Sequence, residues 1–161
     1  MNLQQFWALV EQAHSESPIN MDEKCARITA LVSKLSAADA TAFSTHFNDQ
    51  MARAYSYGLW GAAFVIHGGC GDDSFSDFRS SLISRGQEHY EGTLADPDSL
   101  AAVDIPEDDW TYEGYAYAVA DGVKAAGGKP AAGRKLSEPA GTGWSEDEVY
   151  SLYPRLAAKY A

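Results

Sequence analysis

The sequence predicts an all-α protein: a compact bundle of about seven or eight helices, in one domain over residues 1–161, with a Gly/Pro-rich loop before the last helix. Three observations carry that prediction. Apolar residues recur at the i, i+3, i+4, i+7 spacing that lines one face of a helix. Asn, Ser and Asp stand where such stripes begin, as helix caps do. Sustained apolar/polar alternation, the mark of half-buried strands, is weak throughout. The 161 residues are 45% hydrophobic and 22% charged, enough material for one core.

Each element has its own signal. Leu3, Phe6, Trp7 and Val10 give a first helix over 3–13. Asn20 with Glu23 resembles a capping box, and Ile28, Leu31, Val32 and Leu35 continue the stripe. Ser36 with Asp39 restarts a helix through Phe43, Phe47, Met51 and Ala54 to about Tyr57, with Gly58 as its stop. The apolar run Leu59–Ile66 fits a buried strand or a buried helix; its alanines and helical neighbours favour the helix. Phe75, Phe78, Leu82 and Ile83 form the next stripe, Gly86 interrupts it, and a shorter helix follows around Tyr90. Asp96-Pro97 opens a short helix ending near Val103. Residues 104–111 read as an acidic loop, and Tyr115, Val119 and Val123 as a helix within 112–126. Residues 127–143 hold five Gly and two Pro and read as a flexible loop, either a cover over the acidic region or a solvent-exposed linker. Ser145 with Glu148 caps the last helix, which Pro154 should kink or break. The expected core includes Phe6, Trp7, Leu31, Phe47, Leu59, Trp60, Phe64, Phe78 and Leu82.

Several segments together resemble a known family. They are Leu59-Trp60-Gly61-Ala62-Ala63, Gly68-Gly69-Cys70-Gly71-Asp72-Asp73 with Phe75, Phe78 and Arg79, Leu82-Ile83-Ser84-Arg85-Gly86, Asp96-Pro97-Asp98-Ser99-Leu100, Tyr153-Pro154-Arg155-Leu156, and Phe6-Trp7. In these, nearly the whole chain is similar to a bacterial family catalogued only as a domain of unknown function. The resemblance implies a bacterial source and a helical fold. It implies no activity and carries over no catalytic residue.

Charge narrows the function classes. Twelve Lys and Arg stand against 23 Asp and Glu, a formal charge of −11. Such a chain lacks the basic face that nucleic acids require and does not suit an anionic membrane surface. No apolar run reaches the length of a membrane span, and the N-terminus lacks a signal peptide's features, so a cytoplasmic protein is expected. Cys25 and Cys70 are expected as reduced thiols. The four histidines are scattered; Asp72, Asp73 and Asp77 could meet on one helix turn as oxygen ligands, but not at the spacing of an EF-hand loop, and no metal or cofactor is expected.

Two stretches are candidate sites. In the first, His67-Gly68-Gly69-Cys70-Gly71-Asp72-Asp73, glycine amides could cradle an anion at a helix start, with His67 and Cys70 as acid, base or nucleophile and Asp72 and Asp73 beside them. The plainer reading is an interhelix turn, with the aspartates capping the helix of Phe75 and pairing with Arg79 or Arg85. In the second, ten acids and no Lys or Arg lie between Arg85 and Lys124, interleaved with Trp110, Tyr112, Tyr115 and Tyr117. Acids with exposed aromatics make an interaction surface, centred on Asp108, Asp109, Trp110 and Tyr112. Of the two functions these support, a non-catalytic acidic binding protein ranks first, of the kind an immunity-type inhibitor of a basic toxin presents. An enzyme working at the His67–Asp73 turn is the alternative.

Overall fold

In the computed structural model, which describes all 161 residues, ten α-helices and one 3-10 helix follow one another with no strand. The helices are α1 (Leu3–Glu16), α2 (Met21–Ser33), α3 (Ala37–Arg53), α4 (Tyr57–His67), α5 (Asp72–Ile83) and α6 (Gln87–Ala95). After the 3-10 helix (Pro97–Ala102) come α7 (Glu107–Trp110), α8 (Tyr115–Ala125), α9 (Glu146–Leu152) and α10 (Pro154–Tyr160). The count exceeds seven or eight for two local reasons. The acidic loop contains a one-turn helix, α7, and Pro154 divides the last helix, standing at the first position of α10 because it has no N–H to donate.

Local polar groups start the first four helices. In α1, the Gln5 amide donates to Asn2 Oδ1 at 2.8 Å and the Asn2 amide to Gln5 Oε1 at 2.8 Å, a reciprocal box. Asn20 Oδ1 accepts from the Glu23 amide at 3.0 Å, while the Glu23 carboxylate turns aside to the Ser17 hydroxyl at 3.1 Å. Ser36 caps α3, which ends at Arg53 rather than running on to Tyr57. The chain then extends: Ala140 donates to the Tyr55 carbonyl at 3.0 Å and Tyr57 to the Ala140 carbonyl at 2.9 Å. Ser56 recaps α4 through the Leu59 amide at 3.1 Å, so Gly58 lies inside a first turn and stops nothing.

The apolar run Leu59–Ile66 is helical and enters the core through Leu59, Ala62, Ala63, Val65 and Ile66. Gly61 is required there, since a Cβ would lie 2.6 Å from Tyr153 Cε2 and 2.9 Å from Trp144 Nε1. The Tyr153 hydroxyl donates to the Gly58 carbonyl at 2.5 Å, so α10 is bound tightly across α4. One contiguous core of 29 buried side chains runs from Phe6 in α1 to Leu156 in α10. Six of the nine expected core residues are fully buried; Leu31, Trp60 and Phe64 are half-buried against the same core.

The Gly/Pro-rich segment 127–143 lies along α3, not over the acidic region. Lys129 donates to Thr41 Oγ1 at 3.0 Å, Ala131 to Ser44 Oγ at 2.8 Å, and Asn48 Nδ2 to the Ala131 carbonyl at 2.9 Å. Arg134 pairs with Asp49 at 2.6 Å.

Candidate functional site

The glycine turn is built as a joint between helices. Gly68 ends α4 at φ +67°, a conformation that an L side chain resists. Gly71, not Asp72 or Asp73, is the N-cap of α5, and no side chain caps that helix end. The aspartates occupy its first turn instead, because the chain enters α5 directly from the extended Gly71. There their charge favours the helix dipole without a capping hydrogen bond. Arg79 does not pair with them: its Nη1 donates to the Met51 carbonyl at 2.7 Å, and its guanidinium lies over Tyr55 and Phe75 at 4.9 and 5.0 Å. Arg85 likewise lies elsewhere, near Lys24 and Asp109.

The chemistry of the turn is subdued. Trp60 Nε1 donates to the Cys70 carbonyl at 2.8 Å, and its ring stacks on Phe75 at 4.7 Å, which pins the turn to the core. Burial pushes the Cys70 thiol up to about 11, so it is protonated at neutral pH and a poor nucleophile. His67 is half-buried with Nε2 unpartnered; burial lowers its affinity for a proton, against the pull of Glu107 and Asp108. Neither His67 nor Cys70 lines a cleft of the molecule. Asp72, Asp73 and Asp77 do not gather into a group able to hold an ion.

The acidic stretch is transformed by folding. Five of its ten acids acquire basic partners. Glu91 takes both guanidinium nitrogens of Arg53 at 2.5 and 2.6 Å. Arg155 reaches Asp96 at 2.5 Å and Asp98 at 3.0 Å, Lys159 reaches Asp104 at 2.7 Å, and Lys124 lies 3.9 Å from Asp121. Glu88, Glu107, Asp108, Asp109 and Glu113 have no ion pair, and the last four of these cluster at α7 and the turn after it. The unbalanced charge thus contracts to residues 107–113.

Within that segment the four expected binding residues part company. Asp108 is exposed, and Asp109 and Tyr112 are half-exposed. Trp110 is a correction: it is 1% exposed and stacks on Phe78 at 5.7 Å, so its ring anchors α7 to α5 and cannot meet a partner. Asp109 and Tyr112 line a shallow groove of about 340 Å3 with Ile19 and Asp22, and the Tyr112 hydroxyl donates to the Asp22 carboxylate. On the other side of the turn, Glu113 lines a second groove of about 360 Å3 with Asp73, Asp77 and Tyr117. Partial burial, then the charges of Glu113 and Asp73, raise the proton affinity of Asp77, as expected where carboxylates crowd without a base.

Each groove holds one prominent apolar group: Ile19 is 85% exposed and Tyr117 64% exposed. Ile19 was not evident from periodicity, but its signal is readable. It precedes the N-cap Asn20, where an apolar residue normally packs on the fourth helical residue. That residue is Lys24, which faces inward, so the staple cannot form and Ile19 stays in solvent.

Comparison with known proteins adds a family and no chemistry. Residues 1–124 match the family described as a protein of unknown function, DUF4240. No curated protein and no solved structure matches the chain.

Proposed function

We propose that this chain, which belongs to the DUF4240 family and takes no assigned activity from it, is a non-catalytic binding protein. It holds a basic protein partner against the acidic face on either side of Tyr112 and Glu113. One observation carries this reading: Ile19 and Tyr117 stand exposed in two adjoining grooves whose charged side chains, Asp22, Asp109, Asp73, Asp77 and Glu113, are all acidic. Exposed apolar groups supply the energy that persists once water is excluded, and surrounding carboxylates steer a basic partner and repel acidic ones. The class of partner this suits best is a basic toxin, neutralised in the cytoplasm of the bacterium that makes it, as immunity-type inhibitors do.

The test is association kinetics with a basic protein co-purified at low salt from the source cells. The association rate should fall about tenfold between dilute and physiological salt, because exposed charges are screened over about 8 Å at 0.15 M. Asp108→Asn with Asp109→Asn should act mainly on association, and Ile19→Ser or Tyr117→Ser mainly on dissociation. If no basic protein is retained, or the kinetics ignore both salt and these substitutions, the reading is wrong.

A further inference from the structure

A second feature has the opposite charge. Between α1, α2 and the start of α6, four side chains that can be positive are gathered without an ion pair. Lys24 is 0% exposed and its Nζ has no partner. His14 Nδ1 and His89 Nε2 are buried and equally unpartnered. Arg85, half-buried between α5 and α6, lies within electrostatic reach of all three. The helical registers cause the meeting. Glu11 and His14 lie one turn apart along α1, Lys24 stands with Met21 and Ile28 in the buried stripe of α2, and His89 is in the first turn of α6.

Uncompensated positive charge in an interior is unfavourable, and here the groups oppose one another. Burial first, then Lys24, Arg85 and His89, bring His14 down to about 4. Burial, Arg85 and Lys24 bring His89 down to about 4. Lys24 falls to about 8 through burial and Arg85, with Asp109 pulling the other way. Asp109 is the carboxylate whose field reaches both Lys24 and Arg85, yet it pairs with neither.

Arg85 and His89 face a cleft of about 510 Å3 whose walls include the hydroxyls of Thr93 and Ser99 and the carboxylates of Glu11 and Glu88. Its size suits a small polar molecule rather than a bare ion. We propose that this cleft binds a phosphomonoester, the phosphate taken by the Arg85 fork with a hydrogen bond from His89, the body of the molecule by Thr93 and Ser99, with Lys24 lending positive field from behind. A dianion offsets more than one of these charges, and a planar guanidinium matches phosphate oxygens in pairs. Glu11 is the chain's own anion here: its Oε1 accepts from the Gln87 amide at 3.3 Å at the start of α6. A bound phosphate would lie beside it and be repelled by it.

The experiment is calorimetric titration and thermal melting of the intact protein, at constant ionic strength, with glycerol 3-phosphate, inorganic phosphate and acetate. Glycerol 3-phosphate should bind saturably and raise the melting temperature, inorganic phosphate should bind more weakly, and acetate should have no effect. Arg85→Gln should weaken the phosphomonoester about tenfold or more, the loss of one bidentate charged contact. Lys24→Met should weaken it too. Glu11→Gln should tighten it, a gain that a purely structural role for Glu11 does not produce. The surface variant Arg134→Gln should bind as the parent does. The proposal is overturned if neither phosphate compound binds saturably at millimolar concentration, if Arg85→Gln binds unchanged, if Glu11→Gln weakens binding, or if acetate or free phosphate matches the ester.

Discussion

Trp110 shows how one side chain changes role between sequence and fold. Its neighbours Asp108 and Asp109 are acids, and its helix is a single turn, so nothing local marks it as interior. Its burial comes from Phe78 in α5, 32 positions earlier in the chain, against which the indole stacks. Trp110→Ala removes that stack and leaves a cavity under α7. The expected cost is about 3–5 kcal/mol, measured as a lower urea midpoint with little change in slope. Had Trp110 been a partner contact, the isolated protein would keep its stability. Lys24 is the converse case, a charged residue in the stripe of α2 where the 3.6-residue period calls for an apolar one.

The 3-10 helix and α10 are joined through one carboxylate. Asp98 acts as a cap supplied from 57 residues away. Its Oδ1 accepts from the Leu156 amide at 2.9 Å, and its Oδ2 from the Arg155 amide at 3.1 Å and from Arg155 Nε at 3.0 Å. Burial alone would raise the Asp98 carboxyl, but the two backbone N–H groups and the guanidinium outweigh it and hold it below its ordinary 3.8. Asp98→Ala orphans three donors at a helix start, so a loss of about 2 kcal/mol is expected by denaturant unfolding at neutral pH. The sign with pH follows from the lowered value. The contribution is complete above 3.8 and fades as pH falls below it, so parent and variant should converge in acid. Two segments that mark the family resemblance, Asp96–Leu100 and Tyr153–Leu156, thus meet as one structural joint. The α10 half of that joint lies beyond the residues matched by the family.

The molecule as a whole carries acid outside and a small basic cluster inside, and its pH response should reflect both. His14 and His89 are held neutral, near 4 against an ordinary 6.5, so the unfolded chain takes up their protons first. Stability from these two residues is therefore complete above pH 6.5 and lost as pH falls toward 4. Melting temperature measured against pH should drop across that window in the parent, and less steeply in the His14→Gln, His89→Gln double variant. An identical slope in both would place the acid sensitivity in the carboxylates instead.

Helix identity was legible in the residues themselves because its causes are local: apolar stripes at 3.6-residue spacing, Asn20 and Ser36 at helix starts, and Pro154 where an amide is dispensable. Boundaries slipped where a distant strand of chain competed, as Ala140 does for Tyr55 and Tyr57. Part of the proposed binding face was also named in the linear reading, since Asp108, Asp109 and Tyr112 lie on or beside it. Ion pairing was not. Arg53, Arg155 and Lys159 come from 38 to 59 positions away to neutralise acids that look uncompensated in a linear reading. Nor could a linear reading place Lys24, Arg85, His14 and His89 together, since they lie on separate elements and share no spacing. Charge adds up along a sequence, but its neutralisation and burial depend on distances in space, and only the packing of the helices sets those.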